Sequence, residues 1–271
     1  LVDAYWTTDG KTKPTLSTMD QRIKDYKALA DEIKGIENTN KKTFNEAVNS
    51  IENSLPNKAY LSQFKNRDSR LYASIIFPYS AVNKYRPNEY QHYVPEVNNY
   101  GESGYAFRKM SGADDVIPIL GGAYYGTGVD FPIIRLAEML LIYAEAHTQN
   151  TGYDGTVVAE LNKLRTRAGM PEVPTGLSKN DAIDFIRKER RIELAGEGLR
   201  FFDIRLYEDD TRNGGFKGTE AASIVMTGQI RDVVGKLGAK KIWAPRLMYM
   251  PLPTTALDKN KNAGMKQNPG Y

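Results

Sequence analysis

Residues 133–147 restrict the fold more than any other stretch, because Ile133, Ile134, Leu136, Met139, Leu140, Leu141, Ile142, Ala144 and Ala146 put apolar side chains on nearly every side of a helix. Such a helix needs protein on more than one face, so it is expected to be central and buried. It does not read as a membrane span, since the apolar run 131–146 is short and carries Arg135, Glu138 and Glu145. The fold must therefore surround it with other helices.

Two of these follow directly in the chain. Val157, Val158, Leu161, Leu164 and Ala168 keep helical spacing up to Gly169 and Pro171. Ser178 with Asp181 three residues on is a capping-box-like start for a third helix through Ile183, Ile186 and Ile192. Short links between the three predict antiparallel packing. Upstream, Ile23, Tyr26, Ala30 and Ile33 define an amphipathic helix with Gly35 as its expected stop. Phe44, Ala47, Val48, Ile51 and Leu55 define a second one, ending before Pro56, and the two are expected to pair. Residues 71–77 are rich in β-forming side chains and predict a short strand, and residues 207–271 are expected to wrap as irregular structure. The fold class is mainly α, with antiparallel helices, long irregular loops and a few short strands.

Residues 78–130 carry proline or glycine at short intervals and no sustained period. Loops this long inside a compact protein are functional or disordered. Order is expected here, because the same stretch holds Tyr79, Tyr85, Tyr90, Tyr93, Tyr100, Tyr105, Tyr124 and Tyr125, and disordered segments are poor in aromatics.

Charge and composition exclude several classes. A net charge of +4, from 37 basic and 33 acidic residues spread along the chain, argues against a nucleic-acid partner. The chain has no cysteine, which removes disulfides, thiolate metal sites and a cysteine nucleophile. Its two histidines, His92 and His147, are far apart, so no histidine metal site is predicted, and no cofactor is implied. The glycines at 121, 122, 126, 128, 196 and 198 lack the spacing and context of a phosphate cradle, and no serine sits in a nucleophile elbow.

Two constellations remain. Glu189, Arg190, Glu193, Glu197, Arg200 and Asp203 form the densest charge cluster. Its carboxylates could be read as a glycoside hydrolase pair, but alternating signs also describe ion pairs that pin a helix to the turn after it. The aromatics form the other. A sugar offers an apolar C–H face and a rim of hydroxyls, which a flat ring with nearby amides and charged forks can match. Trp6, Tyr79, Tyr85, Arg86, Asn88, Tyr90, Tyr93, Asn98 and Tyr100 are the candidate ligand contacts on this reasoning. Each ring has packing between loop and helix as its alternative role.

Four blocks, in order, resemble the C-terminal part of the SusD/RagB family: Arg135-Leu-Ala-Glu-Met-Leu-Leu-Ile-Tyr-Ala-Glu-Ala146, Leu161-Asn-Lys-Leu-Arg-Thr-Arg-Ala-Gly169, Ile186-Arg-Lys-Glu-Arg-Arg-Ile-Glu-Leu-Ala-Gly-Glu-Gly-Leu-Arg-Phe-Phe-Asp-Ile-Arg205, and Met250-Pro-Leu-Pro253 with Gln267-Asn-Pro-Gly-Tyr271. Weaker echoes occur at Leu1-Val-Asp-Ala-Tyr5 and Arg67-Asp-Ser-Arg-Leu71. The resemblance implies tetratricopeptide-like helices. It also implies a non-catalytic, glycan-binding lipoprotein on the outer surface of the outer membrane, passing nutrient to a SusC-like TonB-dependent transporter. A lipidated cysteine and a helical N-terminal portion belong to that pattern and are not in residues 1–271, so the chain is expected to be the C-terminal SusD/RagB-type domain of a longer protein. A helical-repeat adaptor that binds only proteins is the second reading, and the hydrolase the third.

Overall fold

The computed structural model describes residues 1–12, 14–80, 105–110, 130–207, 222–226, 233–237 and 250–271. The chain divides into two compact units, Leu1–Gly198 with Ser223–Leu237, and Leu199–Ala222 with Gly238–Tyr271.

In the first unit, helix α1 (Met19–Asn40) begins where the Thr18 side chain accepts the Gln21 N–H. Tyr26, Leu29, Ala30 and Ile33 are buried along its inner face. It runs through the expected stop at Gly35 and ends at Lys41, whose φ of 53° is left-handed. One glycine in a helix costs only about 1 kcal/mol, too little to end it. Helix α2 (Phe44–Ser50) starts in a full capping box between Thr43 and Glu46, buries Ala47 and Val48, and packs on α1 as expected. It stops earlier than the apolar spacing implied, and the chain continues through turns to α3 (Ala59–Ser62). There Lys58 reaches back to Glu32 on α1 at 2.5 Å.

The strand expected over residues 71–77 is mostly helical. Helix α4 (Ser69–Ser74) takes its first half, because the Asp68 carboxylate accepts the Arg70 N–H and Leu71 and Ser74 turn inward. Only β1 (Ile75–Ile76) remains extended, paired antiparallel with β2 (Ala106–Phe107). A local cap has outweighed β-propensity, which depends strongly on context.

Helix α5 (Leu136–Asn150) packs on both α6 (Gly155–Arg167) and α7 (Lys179–Glu193). Asp154 caps α6 by accepting the Thr156 and Val157 N–H groups, and Ser178 caps α7 by accepting that of Asp181. At the end of α6, Gly169 takes a φ of 64° and the Met170 N–H returns to the Arg165 carbonyl. The loop beyond is held by the Tyr153 hydroxyl, which donates to the Pro174 carbonyl, and by the Asn162 side chain, which accepts the Val173 N–H.

Helix α5 departs from the expectation of full burial. Ala137, Leu141, Ala144 and Thr148 are buried against its neighbours, yet Leu136 is 72% exposed and Ile133, just before the helix, 85%. Among the described residues, the all-round apolar pattern is matched by protein on one side.

In the second unit lie α8 (Arg200–Leu206) and α9 (Thr254–Lys259). The Gln267 side-chain amide pairs with the Leu252 backbone, accepting its N–H at 2.7 Å and donating to its carbonyl at 2.9 Å. Asn268 donates to the Met250 carbonyl. Residues 207–271, expected to be irregular, contain α9 and a two-stranded pair, β3 (Ala222–Met226) and β4 (Val233–Leu237).

Candidate functional site

Trp6 follows a single 3-10 turn and is fixed by its backbone, its carbonyl accepting the Asp68 N–H at 2.9 Å. Its ring is only 7% exposed. Phe185 of α7 stacks on it at 5.7 Å between centroids, and the Lys188 ammonium sits 3.0 Å from the ring centre. Arg165 lies 5.9 Å from Trp6 and 5.1 Å from Phe185, so its guanidinium is flanked by two aromatic faces.

Tyr79 adopts a left-handed φ of 65° and is 3% exposed. Its ring lies against Tyr26 and Phe44, and Tyr26 meets Tyr60 edge-on. Phe64 stacks on Phe77 at 4.0 Å and meets Tyr105. Burial raises the phenol pKa throughout this cluster, to about 12 at Tyr26 and at Tyr105. Both Trp6 and Tyr79 are thus built into the core, the packing role that was the alternative for each. Tyr85, Arg86, Asn88, Tyr90, Tyr93, Asn98 and Tyr100 lie outside the described residues.

The charge cluster resolves into a buried network. Glu189 has no exposed surface and sits between Arg70 at 2.7 Å and Arg165 at 2.9 Å. Glu193, one turn on, meets Arg70, Arg135 and Arg167 at 3.1, 2.9 and 2.6 Å. Glu197, past the helix end, receives Lys109 at 2.5 Å and Arg135 at 2.6 Å. Asp68 holds Arg70 from the other side at 2.7 Å. The Arg165 guanidinium also donates to the Gly10 carbonyl at 3.0 Å. An added Cβ at Gly10 would come within 2.7 Å of that guanidinium, at a φ of 69°, so the turn and the network are fitted to each other.

These contacts decide what the carboxylates can do. Burial works against the charge on Glu197, but Arg135 and Lys109 outweigh it and hold its pKa below the ordinary range. Burial likewise opposes the charge on Arg70, and Glu189 and Asp68 outweigh that and raise its pKa. Glu189, Glu193 and Glu197 are clamped by cations and closed to solvent, so they offer no face to a substrate, unlike the carboxyl pair of a glycoside hydrolase. The expectation of structural ion pairs holds in kind, although the partners named above lie not in the turn after the helix but on α4 (Arg70), two residues past β2 (Lys109), just before α5 (Arg135) and on α6 (Arg165 and Arg167). Arg70, Arg135, Arg165 and Arg167 all fall within the sequence blocks quoted above, and Lys109 falls in none. For the arginines a signal was available, because the basic side chains of blocks 67–71, 135–146 and 161–169 complement the acids of block 186–205.

Among the described residues no group of three or more metal-ligating side chains occurs. Nor is any helix among them long and apolar enough to cross a membrane.

Fold and network together define a mainly α protein whose packed helices are tied by ion pairs between distant motifs. The model of the SusD family matches residues 1–271, and the chain belongs to that family. It is 30% identical over 145 residues to SusD-like protein P2 of Formosa agariphila, a match covering 51% of this chain and 25% of that protein. With SusD-like protein P38 of the same organism it shares 35% identity over 80 residues, covering 27% and 16%. A solved SusD-like protein of Bacteroides fragilis superposes on all of this chain with a TM-score of 0.68 at 23% identity, over 46% of its own length. A SusD-like carbohydrate-binding protein of the same species gives a TM-score of 0.51 at 18% identity over 95% of this chain and 46% of its own. At these identities the structural likeness concerns the fold. The chain spans less than half the length of each of these relatives.

Proposed function

We propose that this chain is the C-terminal SusD/RagB-type portion of a longer, non-catalytic lipoprotein that captures glycan at the outer-membrane surface and passes it to a SusC-like TonB-dependent transporter. The observation that carries the reading is membership of the SusD family along residues 1–271, supported by the fold shared with a SusD-like carbohydrate-binding protein. The closed, ion-paired state of Glu189, Glu193 and Glu197 favours binding over hydrolysis.

Trp6 and Tyr79 serve the scaffold in this reading, and the ligand contacts fall to Tyr85, Arg86, Asn88, Tyr90, Tyr93, Asn98 and Tyr100. A tyrosine-rich segment with amide and guanidinium neighbours supplies both the stacking face and the hydroxyl partners a sugar requires.

The test is calorimetry of the full-length protein against a panel of polysaccharides and oligosaccharides. Saturable binding of at least one glycan is expected, weakened by Tyr85→Ala or Tyr90→Ala without loss of folding. Flat titrations across the panel, with the transporter still captured in pull-down, would replace glycan capture by a protein-adaptor role.

A further inference from the structure

Arg191 stands apart from the other arginines of α7. Arg187 pairs with Glu145 of α5 at 2.8 Å, and Arg190 lies 3.5 Å from Glu138 of the same helix. Arg191 is half-buried, yet among the described residues its guanidinium has neither a hydrogen bond nor an ion pair. Its own helix offers none, because the residues three and four places away are Arg187, Lys188, Leu194 and Ala195. Glu189 and Glu193, two places to either side, belong to the buried network. Burial lowers the pKa of Arg191, and the charge that works against this is that of Asp3. Asp3 is itself engaged, its carboxylate accepting from Arg22 at 3.1, 3.2 and 3.3 Å.

Arg67 lies near the same carboxylate. It is 3% exposed, donates to the carbonyls of Val2, Tyr5 and Gln63, and keeps a buried Nε–H that has no acceptor. Asp68, whose charge also reaches Arg67, is held by Arg70 at 2.7 Å. Around Asp3 three guanidinium groups therefore face one carboxylate, three positive charges against one negative, and Arg191 has every donor unused. Polar groups withdrawn from water in folded proteins are nearly always matched, and a cation withdrawn without a partner is costly. The packing of this chain does not repay that cost at Arg191.

We infer that Arg191 binds an oxyanion, and that the oxyanion is a carboxylate or sulfate group of an acidic glycan. The planar fork of guanidinium donors matches both groups, and the surplus positive charge around Asp3 attracts them. A neutral sugar could take the same donors only by leaving that charge uncompensated, so the site discriminates as well as binds. The glycan as carrier of the anion rests on the capture proposed above. The anion site itself does not.

Phenylglyoxal, which modifies accessible guanidinium groups, reads the site in the full-length protein without a substitution. After cleavage at acidic residues, peptide mass mapping gives the rate at each arginine, referenced to the same peptide in urea. Arg191 is expected to react while the buried Arg70 and Arg165 do not, and about 50 mM sodium sulfate is expected to slow it about fivefold. Sodium chloride at equal ionic strength should have little effect. Calorimetry then compares acidic members of the glycan panel, polygalacturonate and dextran sulfate among them, with neutral members such as dextran. Binding of an acidic glycan that is about tenfold weaker in Arg191→Gln, and partly restored in Arg191→Lys, supports the inference. An Arg191 that is unreactive in the folded full-length protein overturns it, because an acid elsewhere in the polypeptide then already fills the fork. So does a rate that sulfate leaves unchanged, a protein that binds only neutral glycans, or acidic-glycan binding that is indifferent to Arg191→Gln. Sulfate protection together with flat titrations across the whole panel would refute glycan capture, and with it the glycan as carrier, while upholding the anion site.

Discussion

Replacing Glu189 by glutamine keeps the size and some hydrogen bonding of the side chain but removes its charge. The charge stands between Arg70 and Arg165, and the latter has no exposed surface. Arg70 retains Asp68 and Glu193. Arg165 retains the Gly10 carbonyl and the faces of Trp6 and Phe185, none of which carries a full negative charge. Breaking a buried pair and stranding one partner costs about 3 to 5 kcal/mol. Full burial of Arg165 places Glu189→Gln in the middle of that range, about 4 kcal/mol. With a urea m-value of about 3 kcal/mol/M, the unfolding midpoint falls by about 1.3 M. Trp6 fluorescence, in a Trp243→Phe background, is the assay of choice because the ring lies beside the network. A midpoint within about 0.3 M of the parent protein would refute the reasoning, since Arg165 would then have found water or another anion. Glu189→Leu combined with Arg165→Met supplies the cross-check. Removing both charges is expected to be milder than the sum of the single changes, by about 2 kcal/mol of coupling.

Three further outcomes are expected. Glu197→Gln lowers stability at neutral pH; because the folded pKa of Glu197 is depressed below 4.5, its contribution is complete above that value and disappears as pH falls through the folded one. Urea titrations of the two proteins from neutral to acid pH should therefore converge at low pH, and parallel curves would contradict the assignment. Gly10→Ala forces a methyl group into Arg165 and Pro171 at a left-handed φ, and thermal melts should show a loss of about 1 to 3 kcal/mol. Trp6→Ala empties a stacked, buried site and should cost about 3 to 5 kcal/mol in the same melts, leaving the affinity of the folded protein for any glycan it binds unchanged in calorimetry.

Much of the helical frame was legible in the sequence because its signals are local. Ser178 with Asp181, and Gly169 before Pro171, mark ends that depend on a few neighbouring residues, and α6 and α7 fall where those signs put them. The misreadings came where one local sign was not decisive. Gly35 fails to stop α1 because a lone glycine costs a helix little, and the chain turns only at Lys41. Residues 71–74 are helical because Asp68, upstream of the apolar run, caps them. The network was legible only in part, since like and unlike charges within Ile186 to Arg205 suggested internal pairing, whereas the pairs defined above span up to 123 residues of sequence. The candidate ligand residues were chosen by side-chain chemistry, which does not distinguish a ring that stacks on sugar from one that stacks on Phe185. For Trp6 and Tyr79 burial favours the packing role.

The Gln267 amide reads the Leu252 backbone as a neighbouring strand would, with one bond in each direction. Residues 252–267, α9 among them, are thereby closed into a loop by one side chain. Loss of the Gln267 amide would take both bonds from the Leu252 backbone at once. A single substitution at Gln267 therefore threatens more structure than one side chain implies, since the whole segment carrying α9 is held at its base by that amide.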